Sequence, residues 1–199
     1  VLQPQYRGSS GFGIKHALAG RRQWGQKMQD DLSDGVKYLT SNGIADPAKV
    51  CIMGWSYGGY AAMAGATLTP ELYRCAIAGA GVSDLEDMLL WSGKYGGGSL
   101  RYWRLHIGDP TTDKAAIEKV SPAKHAAKVT GPMLLIHGEL DNVVPIRQSQ
   151  IMADALKAAG KPYEFVRLAD ENHNISFAST RIKTLKAMDE FLAKHNPAR

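Results

Sequence analysis

The chain has 199 residues, 44% hydrophobic and 22% charged, which is the composition of one globular domain with a core of useful size. Its net charge of +5 comes from scattered Lys and Arg, only the "GRR" of 20–22 being adjacent, so no basic stripe interleaved with aromatics marks a nucleic-acid surface. No run of 18 apolar residues exists to span a membrane, and "VLQPQYRGSS" has no basic segment leading into an apolar one, so no signal peptide is visible.

In chain order, Val1-Leu2 reads as the tail of a strand, followed at once by the loop "YRGSSGFG". The stretch 25–43 carries Met28, Leu32, Val36 and Leu39 at helical spacing and stops at Asn-Gly. Residues 50–54 form a short buried strand, 57–68 a helix despite two early glycines, and "CAIAGAGV" (75–82) a second buried strand. The segment 84–130 reads as irregular; it holds Trp91, Tyr95, "GGGS" and "LRYWRLHIGDP", and a long excursion of this kind serves as a lid or pocket wall. "GPMLLIHG" (131–138) is the clearest strand, 148–161 a helix with a glycine stop, 163–169 a strand, and 178–195 a closing amphipathic helix.

Strands alternating with helices predict an α/β fold: a mostly parallel sheet flanked by helices, in one domain over 1–199. Four full strands and a remnant make a small sheet, so the first strands of a larger one are expected to precede residue 1. Cys51 and Cys75 each open a strand at similar depth, and no C-x-x-C exists. They read as buried free thiols; the alternative is a disulfide, if the two strands are neighbours and the compartment oxidises. That choice leaves the location open between cytoplasm and periplasm or exterior.

Gly54-Trp55-Ser56-Tyr57-Gly58 fits G-x-S-x-G with a strand before it and a helix after it, the setting of a nucleophile elbow. Small residues two before and two after the serine let strand and helix approach, and the backbone N–H of Tyr57 falls at a helix N-terminus, placed to stabilise an oxyanion. A serine needs a base to take its proton. Asp141 follows the strongest strand and His173 the next one, so Ser56, Asp141 and His173 stand in α/β-hydrolase order at the carboxyl ends of parallel strands. Among rivals, His137 lies inside a strand and reads as structural. His16, His106, His125 and His195 lack a strand-end setting, Asp170 reads as shaping its loop, and Asp84 is an alternate acid one strand too early. Gly11-Phe12-Gly13 lacks a third glycine and "GGGS" lacks G-K-[ST], and no H-E-x-x-H or EF-hand pattern occurs, so neither a nucleotide cofactor nor a metal is implied.

The strings "YRGSSGFG", "GWSYGGY", "HGELDNVVP" and "ADENHNIS" resemble, in order and over nearly the whole chain, the catalytic domain of the prolyl oligopeptidase family, which includes dipeptidyl and acylaminoacyl peptidases. The resemblance implies Ser56 as nucleophile, His173 as general base and acid, Asp141 as the residue orienting it, and Tyr57 as oxyanion donor. It also implies Val82, Val144 and the Tyr57 side chain as lining of the S1 pocket. It implies short peptide substrates, no cofactor, and as partner an N-terminal β-propeller in a longer protein, whose segment ahead of residue 1 supplies a second oxyanion donor. The pocket aromatics of dipeptidyl peptidases are replaced here by Leu85 and Met88, which points to a broad apolar pocket with Trp91, Tyr102 and Trp103 as walls. The function read from all this is a serine peptidase acting through an acyl-enzyme. The alternatives are a carboxylesterase with the same triad and a binding domain that has kept the fold without the chemistry.

Overall fold

The computed structural model describes residues 1–94 and 97–197. In chain order its elements are α1 (Ile14–Leu18), α2 (Lys27–Ser41), β1 (Cys51–Trp55), α3 (Tyr57–Leu68), β2 (Cys75–Gly79), α4 (Leu85–Gly93), α5 (Gly97–His106), α6 (Lys114–Lys119), β3 (Met133–Gly138), α7 (Arg147–Ala158), β4 (Tyr163–Leu168) and α8 (Ala178–His195). Short 3₁₀ stretches fall at Pro47–Lys49, Pro70–Leu72 and Pro122–Lys128. Two compact units result: Val1–Asp46 with Leu85–Ser121, and Pro47–Asp84 with Pro122–Arg199.

The second unit is built on one sheet of four strands in the order β1-β2-β3-β4, every pair parallel. Alternate residues of the two central strands face opposite sides, as a strand's period of two requires. Ala76, Ala78, Met133 and Leu135 pack against Ala62, Met63 and Ala66 of α3 and Met152, Ala153 and Leu156 of α7. Cys75, Ile77, Leu134 and Ile136 face Phe191 of α8. Both faces of β2 and β3 are therefore dry, which is why those strands read as unbroken apolar runs rather than alternating ones. The α/β fold, with its parallel sheet and flanking helices, is as the sequence predicts.

The first unit is helical. Trp24 packs edge-on against Trp103 of α5, with ring centroids 5.9 Å apart, and Tyr102 lies against Trp103 and His106. The Arg7 guanidinium grips Asp31 of α2 through both carboxylate oxygens, at 2.6 and 2.8 Å. Here three expectations are corrected. Val1-Leu2 is paired into no strand among the described residues. The stretch 84–130 carries three α-helices; Leu85, Met88, Leu89 and Ser92 form a buried stripe on α4, but the helices are too short for a periodic signal to stand out. Tyr95 and Gly96 of that stretch lie outside the described residues. Third, β2 ends at Gly79, not residue 82, because Ala80 turns to a positive φ of 44°.

The cysteines also correct the reading of free thiols. Cys51 and Cys75 are register partners on β1 and β2, and they form a disulfide with Cα atoms 4.7 Å apart. Adjacent parallel strands brought the two side chains within bonding reach.

Candidate active site

Ser56 sits between β1 and α3 with φ 59° and ψ −119°, a conformation L-residues rarely adopt. Close packing holds it there. A Cβ on Gly54 would stand 2.4 Å from the carbonyl carbon of Gly58, and one on Gly59 would stand 2.3 Å from the Gly79 carbonyl oxygen. The Ser56 N–H is bound to that same oxygen at 2.9 Å. Of the two small residues flanking the serine, Gly54 is the one whose side chain the packing forbids, since a Cβ on Gly58 would meet open space. Tyr57 is the first residue of α3, so its N–H lies at the positive end of the helix.

Asp141 follows β3 in a tight turn. Its Oδ1 accepts hydrogen bonds from the backbone N–H of Val143 (2.8 Å) and Val144 (2.9 Å). Its Oδ2 accepts one from His173 Nδ1 at 2.7 Å, and the His137 ring lies 3.3 Å from the same oxygen. Burial pushes the Asp141 carboxyl up, but the donors from His137, His173, Val144 and Val143 outweigh it and hold the carboxyl well below the usual range. The carboxylate is thus ionised and fully committed.

His173 lies in the loop after β4, which is built around Glu171. That side chain is wholly buried, and its carboxylate accepts from the N–H groups of Asn172 (3.1 Å), Ser176 (2.7 Å) and Phe177 (3.1 Å) and from the Thr180 hydroxyl. Burial opposes its ionisation, yet these donors draw the carboxyl from 4.5 to about 2. The indole N–H of Trp55 donates to the His173 carbonyl at 2.8 Å, tying the loop to β1. The ring that results is 2.9 Å from Ser56 Oγ through Nε2.

Ser56, His173 and Asp141 therefore form one hydrogen-bonded chain. The acceptor carboxylate requires the hydrogen on Nδ1, which leaves Nε2 with the lone pair facing the serine hydroxyl. Such a chain can deprotonate the hydroxyl as it attacks an electrophilic carbon. Val82 and Val144 are both buried, Val144 inside the Asp141 turn and Val82 after β2. The Asp84 carboxylate, the alternate acid, pairs with Lys124 at 2.9 Å. Asp170 is exposed, and Glu171 beside it organises the loop instead. Sequence reading passed over Glu171 because its partners are mostly backbone groups, which no residue letter announces. Among the described residues, no cluster of three or more His, Cys, Asp or Glu could hold a metal, and no helix is long and apolar enough to cross a membrane.

The sequence profile of the prolyl oligopeptidase family matches residues 1–197. The chain belongs to this family. Dipeptidyl aminopeptidase BIII of Pseudoxanthomonas mexicana is 34% identical over 197 residues, which are 98% of this chain and 28% of that protein. Two solved structures overlay on it closely. A puromycin-hydrolyzing peptidase of Mycobacterium tuberculosis has 32% identity and a TM-score of 0.89, covering 98% of this chain and 29% of that one. The acylaminoacyl peptidase of Pyrococcus horikoshii has 27% identity and a TM-score of 0.85, covering 98% and 31%. The chain thus spans under a third of the length of the relatives it matches, and it is a family member of serine-peptidase type with the α/β-hydrolase fold.

Proposed function

We propose that the protein hydrolyses short peptides through a covalent acyl-enzyme on Ser56. The observation that carries the reading is the unbroken chain from Ser56 Oγ to His173 Nε2 (2.9 Å) and from His173 Nδ1 to Asp141 (2.7 Å). Ser56 attacks the scissile carbonyl while His173 takes its proton. The tetrahedral oxyanion is met by the Tyr57 N–H, and His173 returns the proton to the departing amine. Water then attacks the ester with His173 again as base, releasing the acid and restoring the hydroxyl. Asp141 fixes the tautomer and stabilises the imidazolium that forms. No step calls for a cofactor.

The relatives' names, dipeptidyl and acylaminoacyl peptidase, support an acylaminoacyl or dipeptidyl unit ahead of the cleaved bond. Tyr57, Val82 and Val144 are the residues we assign to the pocket for the side chain at that bond. The greater length of the relatives fits a further N-terminal domain in the whole protein, which we read, from the family resemblance, as a β-propeller that filters substrates.

The test pairs peptide p-nitroanilides with short acyl esters and adds a fluorophosphonate probe, with Ser56→Ala as control. Anilide turnover and probe labelling are expected, and Ser56→Ala loses on the order of 10⁶ in kcat with its fold intact. Hydrolysis of esters alone replaces the peptidase with a carboxylesterase, and labelling that survives in Ser56→Ala removes the serine from the mechanism.

A further inference from the structure

His137 stands at the end of β3, where the four preceding residues, Met133 to Ile136, are all apolar and fully buried. Its own ring is fully buried too. An imidazole in such a place costs free energy unless both nitrogens are satisfied. Both are. Nδ1 is 2.7 Å from the Ser149 hydroxyl on α7, and Nε2 is 2.9 Å from the Val144 carbonyl oxygen and 3.3 Å from Asp141 Oδ2. The two groups at Nε2 are acceptors only, so Nε2 carries the hydrogen. On the neutral ring Nδ1 then accepts, and Ser149 donates. The neighbours thereby select one tautomer.

That tautomer aims its hydrogen at the turn holding the acid. Val144 donates its N–H to Asp141 Oδ1 and its carbonyl accepts from His137, so the imidazole holds the turn at a point the backbone donors do not. Asp141 Oδ2 is shared between His173 and His137. We propose that His137 is a positioning residue for the catalytic chain, its Nε2–H fixing the Asp141–Val144 turn and the aim of the carboxylate, with Ser149 as the group that sets its tautomer. The proposal rests on the triad reading above. It extends the chain by two members, so that Ser149, His137, Asp141, His173 and Ser56 form one continuous path from α7 to the nucleophile.

The test compares His137→Leu, which fills the space without a donor, with His137→Gln, whose amide reaches the Nε2 position with one. Both are made in the intact protein and read by fluorophosphonate labelling, with circular dichroism as the check of folding. His137→Leu is expected to slow labelling at saturating probe by about tenfold to a hundredfold, the cost of a misaimed catalytic group, with little change in the probe concentration at half-saturation. His137→Gln is expected to recover most of the rate, and the downfield proton resonance of the His173–Asp141 hydrogen bond is kept in the Gln variant and lost in the Leu variant. If the folded Leu variant labels at the unaltered rate, or if Leu and Gln are equally slow, His137 is only a packing residue and the proposal falls. Should His137→Leu fail to fold, Ser149→Ala takes its place: slower labelling with a weakened downfield resonance supports the proposal, and an unaltered rate and resonance overturn it. Absence of labelling in the folded unaltered protein, or equal labelling of Ser56→Ala, overturns the triad reading and this proposal with it, whereas a silent Ser56→Ala beside a fast His137→Leu overturns this proposal alone.

Discussion

The turn that carries Ser56 and the loop that carries His173 both leave the carboxyl ends of parallel strands, but different forces hold them. The serine turn is held by contact: Gly54 lies against Gly58, Gly59 against Gly79, and the backbone is driven to a positive φ with no charged group taking part. The histidine loop is held by charge: one buried carboxylate, Glu171, gathers three backbone N–H groups and a hydroxyl around itself. A steric device tolerates no added atoms and ignores pH. An electrostatic one tolerates shape changes nearby but depends on a proton. Two hydrogen bonds join them: the Trp55 indole on the His173 carbonyl, and His173 Nε2 at 2.9 Å from Ser56 Oγ.

The largest effect expected from breaking this contrast is at Gly54. Gly54→Ala places a Cβ 2.4 Å from the Gly58 carbonyl, and overpacking against backbone of this kind costs about 3 kcal/mol and displaces the serine. Denaturant midpoints and probe labelling should fall together, equally at neutral and acid pH. Gly58→Ala is the matched control: its Cβ meets open space inside a helix, so its stability should stay within about 1 kcal/mol of the parent or rise. Equal damage from both substitutions would refute the steric account.

Next comes Glu171→Gln, which keeps the shape and removes the charge. Because Glu171 is drawn from 4.5 to about 2, the stability its ionised form supplies is fully present above pH 4.5 and is lost as pH falls toward 2. The Tm of the variant should lie below the parent's at neutral pH, and the gap should close between pH 4.5 and 2. A gap that stays constant over that range would show that the carboxylate's charge does not hold the loop. The smallest effect belongs to Trp55→Phe, which removes the donor to the His173 carbonyl. It should cost about 1 kcal/mol, the net worth of one hydrogen bond, with the same loss at every pH.

The same contrast explains what could be read from the letters. The serine turn is spelled out locally, since Gly54, Ser56, Gly58 and Gly59 fall within six residues and their spacing is their mechanism. The four strands and α3, α7 and α8 were equally plain, because long apolar runs and helical spacing are local signals. The disulfide was not legible, since it depends on β1 and β2 being neighbours in register, a tertiary fact. Nor was Glu171, whose partners are mostly backbone amides, nor the reach of His137 to Asp141, which needs the fold of a four-residue turn to be seen. The helices between residues 85 and 119 were missed because each is short, and the buried stripe of α4 repeats for barely two turns.

The disulfide at the start of β1 has a consequence for how the site moves. The five-residue strand β1 begins at Cys51 and ends one residue before Ser56, and the bond to Cys75 fixes its register with β2 at that first residue. Reduction of the bond leaves the pairing of β1 with β2 to backbone hydrogen bonds and side-chain packing. The fall in fluorophosphonate labelling after reduction therefore measures how far the strand bearing the nucleophile drifts once the covalent tie is cut.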